Sequence, residues 1–484
     1  MQSSASDMRA PTSSLLHHAL ALVAAATLVA CGDDDPNIRD VDPDDDGLLR
    51  VVHASPDAPA VDIFVVGDDD AIAKALEYGE TSRYEPIDKG SYRIQLRAAG
   101  TSTVVFESDA IQISAGAKVT AIAAGSIAST DPADTFRLIP VIGTETGPNQ
   151  GQVLVRVIHA GSDAPTVAID LDDDGSVELP ALERFGVTDV DAIALPIDQS
   201  LQVGVLAGGR AVTAFTLPGL PSLDVGSELL VIATGRLADL PRQDTGFGLL
   251  VVGPDGTITF VEQNPTLYAL HASPDAPAVD LRLAGVNAAV NDLSFGELVP
   301  IQVPPGDYAL SILAAGSTNT TPVATANIQG LEAGERYLAI AAGMLTPAAN
   351  EAPFTVLQFR EQFELDANPR LRLVHASPDA PAIDVSTVTG TTLSSPALIE
   401  DFTFGEATDE TGVAVAPAAR VNVGVATANS QAAVATFTLN TTGSPRSFLI
   451  AAGALTPAAG EQGFRLLQVN TTTNPWSVSA INAN

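Results

Sequence analysis

The segment His53-Ala-Ser-Pro-Asp-Ala-Pro-Ala-Val-Asp62 determines how this chain is organised. It recurs letter for letter from His271 to Asp280, and again with one conservative change from His375 to Asp384. A further copy starts at His159. Copies of one motif about every 100 residues indicate a tandem array of domain-sized units, here four modules.

The second copy of the motif is degraded. Gly161 and Ser162 stand where the other copies have Ser-Pro, and Ala168 replaces the final aspartate. The histidine itself and Asp163 are retained. The second copy is therefore the one that departs most from the shared motif.

The N-terminal segment has the pattern of an export signal. Leu15–Ala30 is apolar apart from two histidines, and Leu28-Val-Ala-Cys31 resembles the bacterial lipobox, in which the cysteine is acylated. Residues 1–30 are predicted to be a lipoprotein signal peptide, and Cys31 the lipidated residue. The aspartate-rich stretch 31–47 is predicted to be a disordered tether. Cys31 is the only cysteine, so the chain has no intramolecular disulfide.

The chain is strongly acidic, with a formal net charge of −35. Such a surface repels the phosphates of nucleic acids, so nucleic acid is excluded as a partner. The predicted partners are the membrane, through the lipid anchor, and an extracellular glycan or protein. We expect an exported protein at the outer membrane or cell surface.

Each module has the strand pattern of an all-β domain. Ile94 and Leu96 alternate with Arg93, Gln95 and Arg97, which is the period of a half-buried strand. We predict four antiparallel, immunoglobulin-like β-sandwiches, with the fourth carrying a C-terminal tail. Their predicted bounds are 48–147, 152–262, 266–364 and 370–484.

Two further expectations concern local structure and module contacts. Residues 70–78 could form a short helix or a helical turn. The linkers are short and polar, so we expect a semi-extended array whose modules touch only across those linkers.

An aromatic-glycine dipeptide follows each motif, and a later apolar strand ends in glycine each time. The dipeptides are Tyr78-Gly79, Phe185-Gly186, Phe295-Gly296 and Phe404-Gly405. With the long H-A-S-P-D-A-P signature, these features resemble the bacterial domain of unknown function 4397, over essentially the whole mature chain. The resemblance implies a secreted or cell-surface β-domain, often in tandem, and it brings no catalytic residue.

The motif residues have two interpretations. Two prolines and an aspartate favour a rigid turn in which His53 and Asp57 stitch a strand-turn-strand corner together. Alternatively His53, Asp57 and Asp62 form a metal or ligand site, although one turn supplies an incomplete transition-metal shell. The structural role is the preferred interpretation. The same choice applies to the corresponding residues His159, Asp163, His271, Asp275, Asp280, His375, Asp379 and Asp384.

Two aspartate runs match the start of a calcium loop. Asp170, Asp172 and Asp174 precede a glycine, and Asp42, Asp44 and Asp46 do the same. Alternate carboxylates suit calcium, but both loops lack the closing acidic residue. Calcium at Asp170 to Asp174 is a weak candidate, and no other cofactor is predicted.

The sequence offers little support for catalysis. It has no G-x-S-x-G elbow and no H-E-x-x-H segment. We predict that the chain is not an enzyme but a lipid-anchored surface protein, a structural or adhesive multivalent array. The alternatives are a calcium-stiffened surface stalk without a soluble ligand and, less favoured, a secreted hydrolase.

Overall fold

The computed structural model describes residue 42 and residues 45–143, 150–171, 175–189, 193–224, 227–286, 289–317, 321–443 and 445–484. Within these ranges the chain is all-β, with no helix, and its strands fall into four modules.

The strands of module 1 are β1 (Asp46–His53), β2 (Val61–Val65), β3 (Ala71–Leu76), β4 (Glu85–Asp88), β5 (Gly90–Tyr92), β6 (Ile94–Ala98), β7 (Val104–Glu107), β8 (Ile111–Ile113), β9 (Lys118–Ala124) and β10 (Arg137–Ile142). Those of module 2 are β11 (Gln152–His159), β12 (Val167–Asp170), β13 (Leu179–Leu182), β14 (Ile193–Pro196), β15 (Leu201–Ala207), β16 (Arg210–Leu217), β17 (Leu229–Thr234), β18 (Gly248–Val252) and β19 (Ile258–Val261).

The strands of module 3 are β20 (Thr266–His271), β21 (Val279–Leu283), β22 (Ala289–Leu293), β23 (Leu298–Gln302), β24 (Gly306–Ala314), β25 (Ala324–Leu331), β26 (Arg336–Ala342) and β27 (Thr355–Arg360). Those of module 4 are β28 (Arg370–Ala376), β29 (Ile383–Thr389), β30 (Thr392–Leu393), β31 (Ile399–Phe402), β32 (Val413–Ala414), β33 (Val421–Thr427), β34 (Ala435–Leu439), β35 (Arg446–Ala452), β36 (Arg465–Asn470) and β37 (Ser477–Ile481).

Each module is a sandwich of two main sheets, as predicted, and module 1 also has the small two-stranded sheet β5-β8. In module 1 the inner sheet has the order β10-β9-β1-β4 and the outer sheet β3-β2-β6-β7. The motif strand always belongs to the inner sheet, and the strand after the motif turn belongs to the outer sheet. The H-A-S-P-D-A-P turn is therefore where the chain crosses from one layer to the other.

The inner sheets contain one pairing that the alternation did not predict. The motif strand lies parallel to the apolar strand that ends in glycine, as in β1 with β9 and β20 with β26. The remaining strand pairs of both sheets are antiparallel, as in β9 with β10 and β2 with β6. Parallel strands need a long crossover connection, and here the outer sheet supplies it.

The inner sheets are buried on both faces. In module 1, Leu49 and Val51 face the sandwich's own core, whereas Val52 and Ala54 face module 2. A strand enclosed on both sides reads as a continuous apolar run, which is how Ile122-Ala-Ala reads in β9. Modules 1 and 2 thus share a third apolar core between their inner sheets.

This shared core is built symmetrically. It contains twelve buried apolar side chains, six from each module. Val52 and Ile158 each precede a motif histidine, and Ile122 and Ile232 occupy equivalent positions on β9 and β17. The two inner sheets therefore meet by the same face, as the subunits of a twofold dimer do.

Modules 3 and 4 form a second pair in the same way. Leu270, Ile340, Val374 and Ile450 lie in one apolar cluster between their inner sheets. Full burial of such a side chain contributes about 1.5–3 kcal/mol. The expectation that modules touch only across linkers is therefore wrong, because the inner-sheet faces are too apolar to remain in water.

Polar contacts join module 2 to module 3. The Ala214 amide donates to the Gln302 side-chain oxygen at 2.8 Å, and the Gln302 amide group donates to the Thr213 hydroxyl at 3.1 Å. Arg242 lies 3.5 Å from Glu361. The two pairs thus meet through side-chain hydrogen bonds and an ion pair.

The predicted helical turn at residues 70–78 is also wrong. Residues Ala71–Leu76 form β3, which pairs with β2 across two register shifts. Its pattern is irregular because Ala75 has a positive φ of 49° and bends the strand. Such bulges obscure the two-residue period in the sequence.

Candidate functional site

The motif histidine lies at the end of the first strand and points into its own module. The His53 side chain is fully buried, with Nε2 3.2 Å from the Pro59 carbonyl oxygen and Nδ1 3.4 Å from the Ser55 amide. Its ring packs edge-on against Tyr78 at 6.3 Å. The His53 imidazole therefore contacts both the start and the end of the motif turn and stabilises it.

Two of the other motif histidines are placed in the same way. His159 and His271 lie 2.8 Å and 3.0 Å from the carbonyl oxygens of Pro165 and Pro277. Burial lowers the pKa of all four motif histidines below the ordinary value, because a charged imidazolium would lose its hydration. At neutral pH these rings are uncharged, enclosed groups.

No described hydrogen bond joins the Ser55 hydroxyl to the His53 ring. Its hydroxyl donates to the Gly125 carbonyl at 2.6 Å and lies 3.2 Å from Asp57, so it faces away from the imidazole. Gly125 terminates β9, and its φ of +86° is the left-handed conformation that glycine adopts without strain. The serine thus ties the motif turn to the end of the neighbouring strand.

Asp57 holds the loop after β9, 70 residues away along the chain. Its carboxylate accepts hydrogen bonds from the Ser126 hydroxyl at 2.5 Å and from the Ile127 and Ala128 amides at 3.1 Å. Burial would raise its pKa, but these donors bring the pKa of Asp57 below the ordinary value. Asp57 and His53 share the corner, and no hydrogen bond joins them among the described contacts.

The equivalent aspartate of each other module also accepts hydrogen bonds from two backbone amides of the corresponding loop. Asp163 accepts from the amides of Leu237 and Ala238 at 2.7 and 2.8 Å. Asp275 accepts from those of Leu345 and Thr346, both at 2.9 Å. Asp379 accepts from the next equivalent pair at 2.6 and 2.8 Å. This contact survives even where the rest of the motif is degraded.

The last aspartate of the motif stabilises a bulge in the outer sheet. Asp62 accepts from the amides of Ala75 and Gly100, both at 2.8 Å. Asp280 and Asp384 bond the amides of Asp292 and Asp401 at 2.9 Å, and these two residues also have positive φ values, of 57° and 53°. The carboxylate offsets the strain of a left-handed residue other than glycine.

Module 2 differs in the aromatic-glycine element. Gly79 donates its amide to the His53 carbonyl at 2.8 Å, but Phe185, not Gly186, makes this bond to His159 at 2.7 Å. Phe185 therefore occupies the glycine position, with a φ of 65°. The Phe185-Gly186 dipeptide is therefore shifted by one residue relative to the equivalent dipeptides of the other three modules. Matching the aromatic-glycine pairs in the sequence did not show this shift.

The calcium candidates are only partly described. Asp170 is buried, and its Oδ2 accepts from the Gly175 amide at 2.8 Å, while Asp172 and Asp174 lie outside the described residues. Asp46 accepts from the Asp42 amide at 2.9 Å, and Asp44 is not described. Within the described ranges, no group of three or more histidine, cysteine or acidic side chains is arranged to hold a metal.

The N-terminal predictions fall outside the described residues as well. Cys31 and the signal segment 1–30 precede the first described residue. Among the described residues, no helix is both long and apolar enough to span a membrane.

The structure gives the motif a further role that the sequence analysis missed. Ala54 follows His53 and is fully buried in the core shared by modules 1 and 2. In the other pair, the carbonyl oxygens of Pro274 and Pro378 accept the amides of Gln462 and Ala352 across the interface, both at 2.9 Å. The motif turn therefore forms part of each module pair, and the continuous apolar runs beside it were the available signal.

The chain belongs to the family described as "Domain of unknown function (DUF4397)", whose profile matches residues 47–170 and 265–386. Each match covers an odd-numbered module and continues into the second strand of the even-numbered one. The sequence resemblance is confirmed, with two matches where four separate copies were expected. Each match includes the motif of the neighbouring module, which packs on the first.

Other comparisons add little. No curated protein matches the chain. Among solved structures, the chain is similar to "The Bacillus anthracis TIE protein", with 9% identity, a TM-score of 0.14 and 79% of this chain covered. The chain spans 63% of that structure's length.

Proposed function

We propose that this protein is a non-catalytic, lipid-anchored cell-surface protein that acts as a structural or adhesive multivalent array. One observation carries the proposal: the polar side chains of the motif are engaged in hydrogen bonds that fix the fold of their own module. His53, Ser55 and Asp57 bond to backbone groups of their own module or to the loop after β9. Side chains that are engaged in such structural hydrogen bonds favour a scaffold over a reaction centre.

The pairing of modules also supports a scaffold. Each pair buries an apolar core between its inner sheets, and polar contacts join module 2 to module 3. Fixed spacing between repeated units favours simultaneous engagement of several weak sites, because linkage raises avidity without new contacts. An extracellular glycan or protein is the proposed partner.

The membrane anchor rests on Cys31 and the lipobox-like residues before it. The test is growth of producing cells with a radioactive fatty acid. Wild type should incorporate label, and Cys31→Ala should not. Equal labelling of the two proteins would reject the anchor, whereas label confined to the wild type supports it.

Adhesion is tested by a binding screen against glycans and matrix proteins. The full chain should bind more tightly than the pair of modules 3 and 4 alone, since avidity climbs with copy number. No binding, together with a calcium-dependent melting temperature, would favour the stalk instead. A reproducible hydrolase activity that survives purification would overturn both functions.

A further inference from the structure

A cavity of about 410 Å³ lies where three modules meet. Module 2 contributes the loop 237–241, module 3 contributes Thr266 and Arg336, and module 4 contributes the turn 471–475. This volume is within the range of pockets that enclose small ligands. None of the motif residues lines it, so it is separate from the histidine corners.

Arg336 is the cationic side chain of the cavity wall. Its side chain is only 9% exposed, and Nη2 donates to Glu361 at 3.1 Å and to the Thr471 carbonyl at 3.5 Å. Nε and Nη1 make no hydrogen bond with any described residue. A guanidinium has five N–H donors and no acceptor, so three donors have no hydrogen-bond partner among the described residues, and the group lies 5.2 Å from the centre of the Trp476 ring.

The charges around Arg336 do not balance. Glu361 is 1% exposed and is shared by Arg336 and by Arg242, whose Nη2 lies 3.5 Å from it. Two guanidinium groups thus share the Glu361 carboxylate, while the other carboxylate of the wall, Asp239, lies 4.0 Å from its own partner Arg236. A buried charge without a full partner is costly, so an anion with two oxygens in one plane would complement this wall.

Other polar groups and some apolar groups complete the wall. The Thr266 hydroxyl and the Asn474 amide group make no hydrogen bond with the described residues and can bind a ligand's hydroxyl groups. Asp239 also lines the cavity, and one of its oxygens accepts from the Thr245 hydroxyl at 2.7 Å. Leu240 and Pro300 add apolar surface. These groups suit a ligand that is hydroxylated as well as anionic.

We propose that this cavity binds a sugar acid, such as the uronic acid end of an acidic saccharide, with its carboxylate on Arg336. The hydroxyls of the ring would meet Thr266 and Asn474. The proposal does not rest on adhesion or on the lipid anchor. A chain that binds no cell could still bind a sugar acid, so the two proposals fail separately.

The test is titration calorimetry of the full chain with glucuronate, glucose and acetate. Glucuronate should bind at one site per chain and more tightly than glucose or acetate, because only glucuronate has both a carboxylate and ring hydroxyl groups. No heat with glucuronate, or equal affinity for glucose, would overturn the proposal.

Variants locate the site. Arg336→Gln should weaken glucuronate binding at least about tenfold, the usual effect of losing a charged hydrogen-bond donor. Arg372→Gln is the matched control, because Arg372 is as buried but does not line the cavity. Loss of binding in both variants, or in neither, counts against the assignment.

A second pair of variants covers the case in which Arg336→Gln fails to fold. Thr266→Val and Asn474→Ala remove groups without structural bonds, so both proteins should keep the wild-type melting temperature. Each should weaken glucuronate about threefold. Unchanged affinity in both would overturn the proposal.

Discussion

The two module pairs bury the same sheet faces but fasten them differently. Modules 3 and 4 exchange two backbone hydrogen bonds, in which Ala352 and Gln462 donate to Pro378 and Pro274. The described contacts of modules 1 and 2 include no such exchange. There the Thr234 hydroxyl donates to the Ala54 carbonyl at 2.7 Å.

The composition of the shared cores differs too. In modules 3 and 4, Trp476 stacks on Tyr268 with ring centres 4.0 Å apart, and Phe448 packs beside them. The twelve buried side chains between modules 1 and 2 are all aliphatic, and Arg50 of module 1 donates to the Gly253 carbonyl of module 2 at 2.7 Å. Pairing survives the degraded motif of module 2 because it depends on apolar faces, whereas the exchanged bonds depend on the intact turn.

The largest expected effect comes from removing an aromatic ring from the second pair. Phe448→Ala should cost about 3–5 kcal/mol of unfolding free energy, the usual result for a buried phenylalanine. Modules 3 and 4 should lose protection together in hydrogen exchange, because the ring lies between them. Phe215→Ala, in the core of module 2, should leave them unchanged. Loss confined to module 4 would contradict a shared unit.

The next effect concerns the first histidine. His53→Ala should destabilise module 1 by about 1–3 kcal/mol by leaving buried polar groups without partners. From the sequence we expected no effect on other modules, but the shared core now predicts that module 2 loses stability as well. Melting of the full chain, followed by hydrogen exchange in each module, distinguishes the outcomes. If hydrogen exchange increased in module 1 alone, the modules would be independent in stability, as the sequence predicted.

Acid should affect both pairs in the same manner. Each folded histidine has a lowered pKa, so unfolding takes up protons once the pH falls below the unfolded value of about 6.5. Stability is complete above that pH and decreases below it, by at most about 1.4 kcal/mol per pH unit for each histidine. Proton uptake on urea unfolding at pH 6 and pH 7.5 measures this. Equal uptake at the two pH values would show that the rings titrate normally.

The smallest effect separates the two pairs most sharply. Asp275→Asn keeps one acceptor oxygen for the Leu345 and Thr346 amides, so we expect a loss of about 0.5–1.5 kcal/mol. The loop it holds also carries Ala352, whose amide bonds module 4, so exchange at Ala352 should rise. Asp163→Asn is the matched change in the first pair and should act within module 2 only. If both variants raised hydrogen exchange in the partner module equally, the two pairs would not differ in how the motif turn is coupled to the neighbouring module.

Much of the fold was predictable from the sequence. The alternation of Ile94 and Leu96 with polar residues predicts a strand with one buried face, and both side chains are fully buried in β6. The turn residues of the motif place a corner after His53. Bulges could not be predicted, because a left-handed residue such as Ala75 has no signal in its own side chain.

Less of the candidate site could be predicted from the sequence. The sequence placed His53 and Asp57 at one corner, but the partners of Asp57 are 69 to 71 residues away, where local spacing has no information. The cavity on Arg336 joins three modules, and its residues are scattered from Ala211 to Pro475. No motif marks such a site.

The sequence alone determined the repeat, the β class and the position of each corner, because these depend on local periodicity and on proline and aspartate in turns. Only the tertiary structure decided which modules pair, which strands run parallel and what each carboxylate holds. The physical reason is that an apolar face must be buried, and the sequence shows that Val52 and Ile122 are apolar but not what covers them. Their partners Ile158 and Ile232 are identified only when two sheets meet.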